Sequence, residues 1–390
     1  MKILYINGAR VPTERAHGLQ IMKMCESFAL QTRGTDAEKN SVELWAPRRF
    51  NYTKQDPFEY YGMKRSFLIK KVPCIDLIPL TKFLGPLALW ITELSFLLLV
   101  FCYLSFVKAD AIYTRDKFVA FLLSFFVKDI FFETHDVPSG IFFLRFRNLR
   151  GIIAITQNLK NEFVKHGISA ERILVAPDGV SLNEFDIKET QEECRQKLGL
   201  PLDKKIVLYT GHFYPWKGVD VLLKAAYNFQ VFKVSNFQNT IFIFVGGTDN
   251  DLAKYDTQYA IYNIQNARFI GHRPHKEIPY WLKSADVLIL PNSAKYVISK
   301  YWTSPMKLFE YMASGRPIVA SRLPSLREIL NKNNTKFAEA DGPESLARAI
   351  HWTLDHAEES MRLAARARED VQMYTWEKRA EKICQFFMKK

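Results

Sequence analysis

Lys307 and Glu310 lie three residues apart in Thr303-Ser-Pro-Met-Lys-Leu-Phe-Glu310, a string that reads as a helix start. Ser304 suits the N-cap, and Pro305 suits the first helical position, where its missing N–H costs nothing. The predicted helix runs from Met306 to Ser314. Leu308, Phe309, Met312 and Ala313 form its apolar stripe, with Lys307, Glu310 and Ser314 on the other side. Gly315 supplies a left-handed stop, Pro317 forbids continuation, and Ile318-Val319-Ala320 opens a buried strand. N–H groups at Met306–Leu308, the helix dipole and the Lys307 ammonium together make a seat for phosphate. Glu310 can then accept hydrogen bonds from hydroxyls of the same ligand. The plainer reading of this spacing is a solvated surface ion pair.

Three more strings carry candidate chemistry. In Gly211-His-Phe-Tyr-Pro-Trp-Lys-Gly218, between a strand at 205–210 and a helix at 219–226, Lys217 can neutralise phosphate or lie along Trp216. In Glu133-Thr-His-Asp-Val-Pro138, Pro138 ends any helix, so His135 and Asp136 sit on a loop at a strand's carboxyl end. A loop histidine of this kind is either functional or merely solvated. Gly18, at the start of a helix predicted over 19–30, permits close backbone approach to a phosphate or simply makes a turn.

These residues need a scaffold, and the sequence supplies one. Strands predicted at 2–7, 41–45, 111–114, 129–133, 152–156 and 173–176 alternate with helices, and the rhythm resumes with strands at 205–210, 240–245, 268–271 and 287–290. That is the pattern of doubly wound parallel sheets. A chain of 390 residues, 48% hydrophobic, suffices for two such domains. Five scattered cysteines, an odd number and never in a CxxC spacing, fit a reduced compartment better than a disulfide framework or a zinc site. The net charge of +13 points to an anionic partner. No nucleic-acid-reading motif is present, and no basic stripe is interleaved with aromatics. A basic solvated surface and attachment to acidic lipid both fit the charge.

Phe83–Val107 is the most apolar run and is long enough to span a bilayer. Glu93 near its middle costs about 2.5–3.5 kcal/mol on insertion scales, and Gly85-Pro86 interrupts one end. The strand expected directly after it, at 111–114, favours a buried or surface-docked helix, with insertion into the lipid interface as the second reading and a spanning helix as the third. Lys64, Arg65, Lys70 and Lys71, with Arg145, Arg147 and Arg150 among Phe142, Phe143 and Phe146, form a set that can face anionic lipid. The polar, aromatic stretch 48–62 reads as a loop without regular structure.

The Tyr301–Ser321 stretch resembles the nucleotide-sugar segment of family-4 (group 1) glycosyltransferases, retaining enzymes of the GT-B fold. Residues 211–218 are similar to that family's phosphate-binding loop, 133–138 to its donor-sugar loop, and His272-Arg-Pro-His275 to the loop that cradles the nucleotide base. Pro177-Asp-Gly-Val180 is similar to a string at its interdomain crossing. The resemblance covers nearly the whole chain. It implies two Rossmann-like doubly wound α/β domains facing a central cleft. These are an acceptor-side domain at 1–185 and a donor domain at 186–372, with a helix at 373–390 returning to the first. It further implies transfer, with retention, from a nucleoside diphosphate sugar to a hydroxyl acceptor, a glycolipid or polysaccharide intermediate of the cell envelope. The setting implied is cytoplasmic, with peripheral contact to the inner face of an anionic membrane. No metal and no cofactor are implied. His135 and Lys217 take the catalytic places, and Glu310 holds the donor ribose. Gly18, His212, Arg273, Ser304, Pro305, Met306, Lys307 and Leu308 make the remaining donor contacts. Two departures stand out. His212 replaces an arginine common in the family, and Trp302 stands where a second glutamate is usual, eight residues before Glu310. A sugar-nucleotide epimerase of the same fold and a catalytically silent binding protein are the alternatives.

Overall fold

The computed structural model describes residues 1–32, 41–138, 140–146, 148–231, 239–253, 255 and 264–389. Its chain divides into two units, Met1–Asp178 with Trp376–Lys390, and Gly179–Thr375. The division falls inside the Pro177-Asp-Gly turn. The polar stretch that follows this turn carries a helix, Gln191–Leu198, with a reciprocal Thr190–Glu193 capping box at its start.

The first unit is built on seven parallel strands: β1 (Ile3–Ile6), β2 (Val42–Pro47), β3 (Leu68–Val72), β4 (Ala111–Thr114), β5 (Ile130–Thr134), β6 (Gly151–Ala154) and β7 (Ile173–Val175). Their order is β3-β2-β1-β4-β5-β6-β7. Ile3 pairs with Val42 on one side and Ala111 on the other, so the winding reverses between β1 and β4. β1, β4 and β6 are buried at every residue, as uninterrupted apolar runs require when helices cover both faces. The last helix, Trp376–Met388, packs on the first, Ala16–Thr32, with Phe387 against Phe131 at a ring separation of 4.3 Å.

β3 was not legible in the sequence. It is an edge strand with a charged face, and its lysines do not form the lipid-facing set expected of them. Lys70 lies over the rings of Trp45 and Tyr103, 4.6 and 3.9 Å from their centroids. The Lys71 ammonium is bonded to the Val11 carbonyl, and Arg65 pairs with Asp56 at 3.1 Å. Phe142, Phe143 and Phe146 are core residues. Arg147 lies outside the described residues, as does the Arg145 side chain. The 48–62 stretch is also more ordered than expected. Asp56 caps a short helix, Pro57–Tyr61, whose Tyr61 hydroxyl donates to Thr13 O at 2.7 Å.

The apolar run breaks at Gly85 and continues as one helix, Pro86–Leu104. Among the described residues it is the one helix long and apolar enough to cross a membrane, with mean hydropathy 2.1, yet only 28% of it is buried. Ala88, Thr92, Phe96, Leu97 and Val100 face inward. Leu87, Leu89, Trp90, Leu94, Leu98 and Phe101 are exposed.

The second unit repeats the plan with six parallel strands: β8 (Lys205–Thr210), β9 (Thr240–Val245), β10 (Ala267–Gly271), β11 (Val287–Leu290), β12 (Ile318–Ser321) and β13 (Lys336–Ala338), in the order β10-β9-β8-β11-β12-β13. Alternation along the strands splits the core into two layers. Ile206, Leu208, Leu288 and Leu290 point to one side of the sheet, and Val207, Tyr209, Val287 and Ile289 to the other. The winding reverses between β8 and β11, the place where sheets of this kind leave a crevice at their carboxyl ends.

Candidate functional site

Two polar clusters occupy the carboxyl ends of the two sheets. In the second unit the chain leaves β8 at Thr210, turns through Gly211 and His212, and reaches Lys217 at the end of a single turn, Pro215–Lys217. Gly218 follows at φ +70°, and a side chain there would overlap the carbonyl of Pro291 beyond β11. Gly246, at φ +125°, has the same relation to the Gly211 carbonyl. These two glycines let three loops close on one another. Trp216 O ties the Lys217 turn to the segment ahead of the next helix. It accepts from Ser293 N at 3.1 Å and from Ser299 Oγ at 3.0 Å.

That helix, Met306–Ser314, crosses from β11 to β12. Its cap is Pro305, at φ −76° and ψ 126°, not Ser304, and no side chain caps it. Leu308 N donates to Pro305 O at 2.9 Å. The two N–H groups ahead of it, of Met306 and Lys307, precede any acceptor the helix can offer and carry its positive end. The expected polar side is not solvated. Lys307, Glu310 and Ser314 are buried, as is every residue of the helix after Met306, which excludes a surface ion pair. The helix is locked to β8 by Tyr311, whose hydroxyl accepts from Thr210 N at 2.9 Å.

Lys307 Nζ donates to Thr210 O at 3.3 Å and sits 3.7 Å from the centroid of the Tyr209 ring. Burial and the neighbouring Lys217 hold its pKa well below the usual lysine value, with Glu310 opposing weakly. Two ammonium groups near one another at a helix N-terminus, beside a glycine-lined backbone, describe a cationic pocket suited to a diphosphate. Glu310 Oε1 lies 2.9 Å from His275 Nε2, and His275 Nδ1 lies 3.9 Å from Glu184. Sequence reasoning singled out the His272–His275 loop but chose Arg273. Arg273 is exposed and bonds its neighbour His272 O, whereas His275 joins the cluster. The 35-residue separation of His275 from Glu310 hid the pairing. His212 stacks on Tyr214, with ring centroids 5.2 Å apart, and Tyr214 stacks on Trp216 at 4.5 Å. Trp302 ends a π-helical turn, Ile298–Trp302.

In the first unit, His135 follows β5, and its Nε2 lies 2.6 Å from Glu133 Oε1. Glu133 is fully buried. Its carboxyl is held well below the usual range by Arg379 and His135, against a desolvation penalty that alone would raise it. Arg379 Nη2 reaches Glu133 Oε2 at 2.8 Å. Gln20 Nε2 bonds Glu133, and Gln20 Oε1 accepts from Arg115 Nη1 at 2.5 Å. Beside them, burial and the charge of Arg115 push His17 down to about 3, which makes it a neutral ring at physiological pH. Gly18 has a packing reason: a side chain there would overlap the Tyr61 hydroxyl and Thr13. Among the described residues, no group of three or more His, Cys, Asp or Glu is placed to hold a metal ion.

Residues 190–370 match the family model described as glycosyl transferases group 1. D-inositol 3-phosphate glycosyltransferase of Corynebacterium glutamicum (strain R) is 24% identical over 245 residues, covering 60% of this chain and 56% of the relative. The protein of the same name from Streptomyces avermitilis is 27% identical over 234 residues, covering 58% and 49%. The chain thus spans about half the length of the curated relatives it matches. Anabaena HepE in complex with UDP and glucose superimposes with a TM-score of 0.75 at 17% identity, over 99% of this chain and 98% of that one. WaaG, a glycosyltransferase involved in lipopolysaccharide biosynthesis, does so with a TM-score of 0.69 at 16% identity, over the whole of both chains. At these identities the likeness carries the fold, GT-B.

Proposed function

We propose that this chain, whose residues 190–370 match the family model of the group 1 glycosyl transferases, moves a sugar from a nucleoside diphosphate sugar to a hydroxyl acceptor with retention of anomeric configuration. One observation carries the reading: the buried Lys307 beside Lys217, at the start of the 306–314 helix and at the winding reversal of the second sheet. Charge grows on the diphosphate as the glycosidic bond to it breaks, and preorganised cations and N–H dipoles act on that growing charge. Lys217, Lys307 and the N–H groups of Met306 and Lys307 fill this role, with Ser304, Pro305 and His212 lining the approach and Leu308, whose N–H is taken by Pro305 O, closing the turn. Glu310, oriented by His275, takes the ribose hydroxyls, and His135 of the first unit addresses the sugar. The scheme needs no metal and no cofactor.

The acceptor we favour is a lipid-linked glycan intermediate on the cytoplasmic face of an anionic membrane. Its support is the outward apolar face of the 86–104 helix. Phe106, Phe125 and Phe126 extend that face, and Lys82, Lys108 and Lys128 are exposed around it. The helix's one charge, Glu93, lies near Arg49, 3.9 Å away. Such a face lies in the lipid interface, with lysines at headgroup level. Flotation with anionic and with neutral vesicles tests this: binding to the anionic ones that Leu94→Glu with Leu98→Glu abolishes is expected. Binding that survives those changes removes the face from the scheme.

The donor test is a thermal-shift panel of UDP, GDP and ADP sugars, followed by product analysis with a simple glycoside acceptor. UDP-glucose is the first arm, since HepE was solved with UDP and glucose. Transfer with the donor's anomeric configuration kept, read from the anomeric proton coupling, is the expected result. An inverted product overturns retention. Epimer formation without an acceptor establishes an epimerase, and binding without turnover establishes a silent binder.

A further inference from the structure

Glu133 and Arg379 are more elaborate than a structural ion pair requires. The two oxygens of Glu133 are divided among four partners from four different elements. Oε1 faces Gln20 Nε2 at 2.5 Å, from the first helix, and His135 Nε2 at 2.6 Å, from the loop after β5. Oε2 takes the Tyr113 hydroxyl, from β4, and Arg379 Nη2, from the last helix. The rest of the Arg379 guanidinium is anchored by Pro177 O at 2.8 Å, Ala176 O at 3.2 Å and Met24 Sδ at 2.9 Å. Arg379 therefore cannot swing away, and a carboxylate pinned against it stays an anion.

An ionised carboxylate accepts hydrogen bonds and cannot donate them. Its contact with His135 Nε2 therefore requires the proton to be on Nε2, which leaves Nδ1 as the second, available ring nitrogen. We infer that Glu133 is a positioning residue for His135. It fixes the ring plane and the Nε2–H form, and Arg379, delivered by the C-terminal helix, keeps it ionised for that task. The inference rests on the reading that His135 addresses the transferred sugar. It adds that the last helix of the chain sets the state of a site residue through one buried carboxylate. The other charged or titratable groups around this pair are Tyr5 from β1, His17 from the first helix, Arg115 after β4 and Asp178 after β7, and each is electrostatically coupled to Glu133, His135 or Arg379. None of them interrupts the direct contact.

Imidazole nitrogen spectra of the full-length protein test this without any substitution at the pair. His135→Asn identifies the His135 signals among the eight histidines. The Nε2–H form is expected, and an Nδ1–H form overturns the inference. The functional arm uses Glu133→Gln with Arg379→Gln, which removes both charges together and so avoids stranding one of them in the core. Expected are a mixed tautomer signal and a turnover number lower by about tenfold to a hundredfold, the order seen when a histidine that ligates a metal loses the partner that orients it. The donor KM should stay within about twofold, because the donor's diphosphate is held by the other unit. If the double variant melts early, Gln20→Met combined with the wild-type pair gives a milder disturbance of the same oxygen and the same tautomer readout. An unchanged tautomer in both variants defeats the inference. If His135→Ala leaves turnover intact while the tautomer responds to Glu133, the positioning stands, and the role given to His135 under the proposed function falls.

Discussion

The two sheets end in opposite electrostatic conditions. At the carboxyl ends of the first, Glu133 and Arg379 neutralise one another, and each has further partners in the core. At the carboxyl ends of the second, Lys307 is buried with Lys217 as a neighbour of like charge, and Glu310, the nearby carboxylate, is bonded to His275. The contrast shows how one winding serves two purposes. A compensated cluster holds its side chains in place whether or not a ligand is present. A cluster in which burial and a like-charged neighbour disfavour the charged lysine gains charge stabilisation when an anion arrives.

The sharpest way to break the comparison is to remove one cation from each cluster. Arg379→Met strands a buried carboxylate and should destabilise the first unit by about 3–5 kcal/mol, the cost of breaking a buried pair from one side. Lys307→Met removes a charge that burial already disfavours. Its melting temperature should be unchanged or higher, while donor affinity falls. Thermal melts of the two variants, with donor titration of the second, check this. Equal destabilisation by both substitutions defeats the distinction.

Lys217→Ala is next in size. Lys217 ends the Pro215–Lys217 turn beside the buried Lys307, so its effect is read in ligand binding. A charge-assisted hydrogen bond contributes about 1.5–3 kcal/mol, so calorimetry with a nucleoside diphosphate should show affinity lower by roughly tenfold to a hundredfold.

The pH dependence sharpens the same point. Folded Lys307 loses its proton well below the ordinary value of 10.5. Between its folded and unfolded pKa values, unfolding takes up a proton, so this residue's contribution makes the protein more stable as pH rises through that window. Donor binding has the opposite dependence. A diphosphate restores the proton to Lys307, so affinity should fall as pH rises above the folded value. Calorimetry in two buffers of different ionisation enthalpy should report proton uptake on binding.

Much of the scaffold was legible because parallel strands buried on both faces are written as unbroken apolar runs. Ile3–Ile6 and Thr240–Val245 are of this kind. β3 was missed because an edge strand with lysines carries no such signal, and β13 because three residues are too few to show a period. At the site, the 306–314 helix was legible from its proline start and glycine stop. The burial of its polar side was not, because Tyr311 and Lys307 meet β8 about a hundred residues away in sequence. The Glu133–Arg379 contact, spanning 246 residues, leaves no local trace either. The outward face of the 86–104 helix is a further case. Composition marks it as apolar, but only the packing of Ala88, Thr92, Phe96 and Val100 shows which side is covered.

The smallest expected effect concerns Arg273, which family resemblance made a donor contact. Its guanidinium is exposed and bonds the carbonyl of His272 at 3.2 Å. A charge in water near a bound anion contributes about 0.2–1 kcal/mol, and salt screens it. Arg273→Ala should therefore weaken donor binding by no more than about fivefold, and less at high ionic strength. Lys217→Ala should keep most of its effect in salt if, as proposed, a phosphate oxygen meets its ammonium directly. Titrating both variants at low and high salt separates a steering charge from a contact. A salt-resistant loss of tenfold or more in Arg273→Ala would move the nucleotide toward the 272–275 loop, and Arg273 would then join His275 and Glu310 as a determinant of which donor is held.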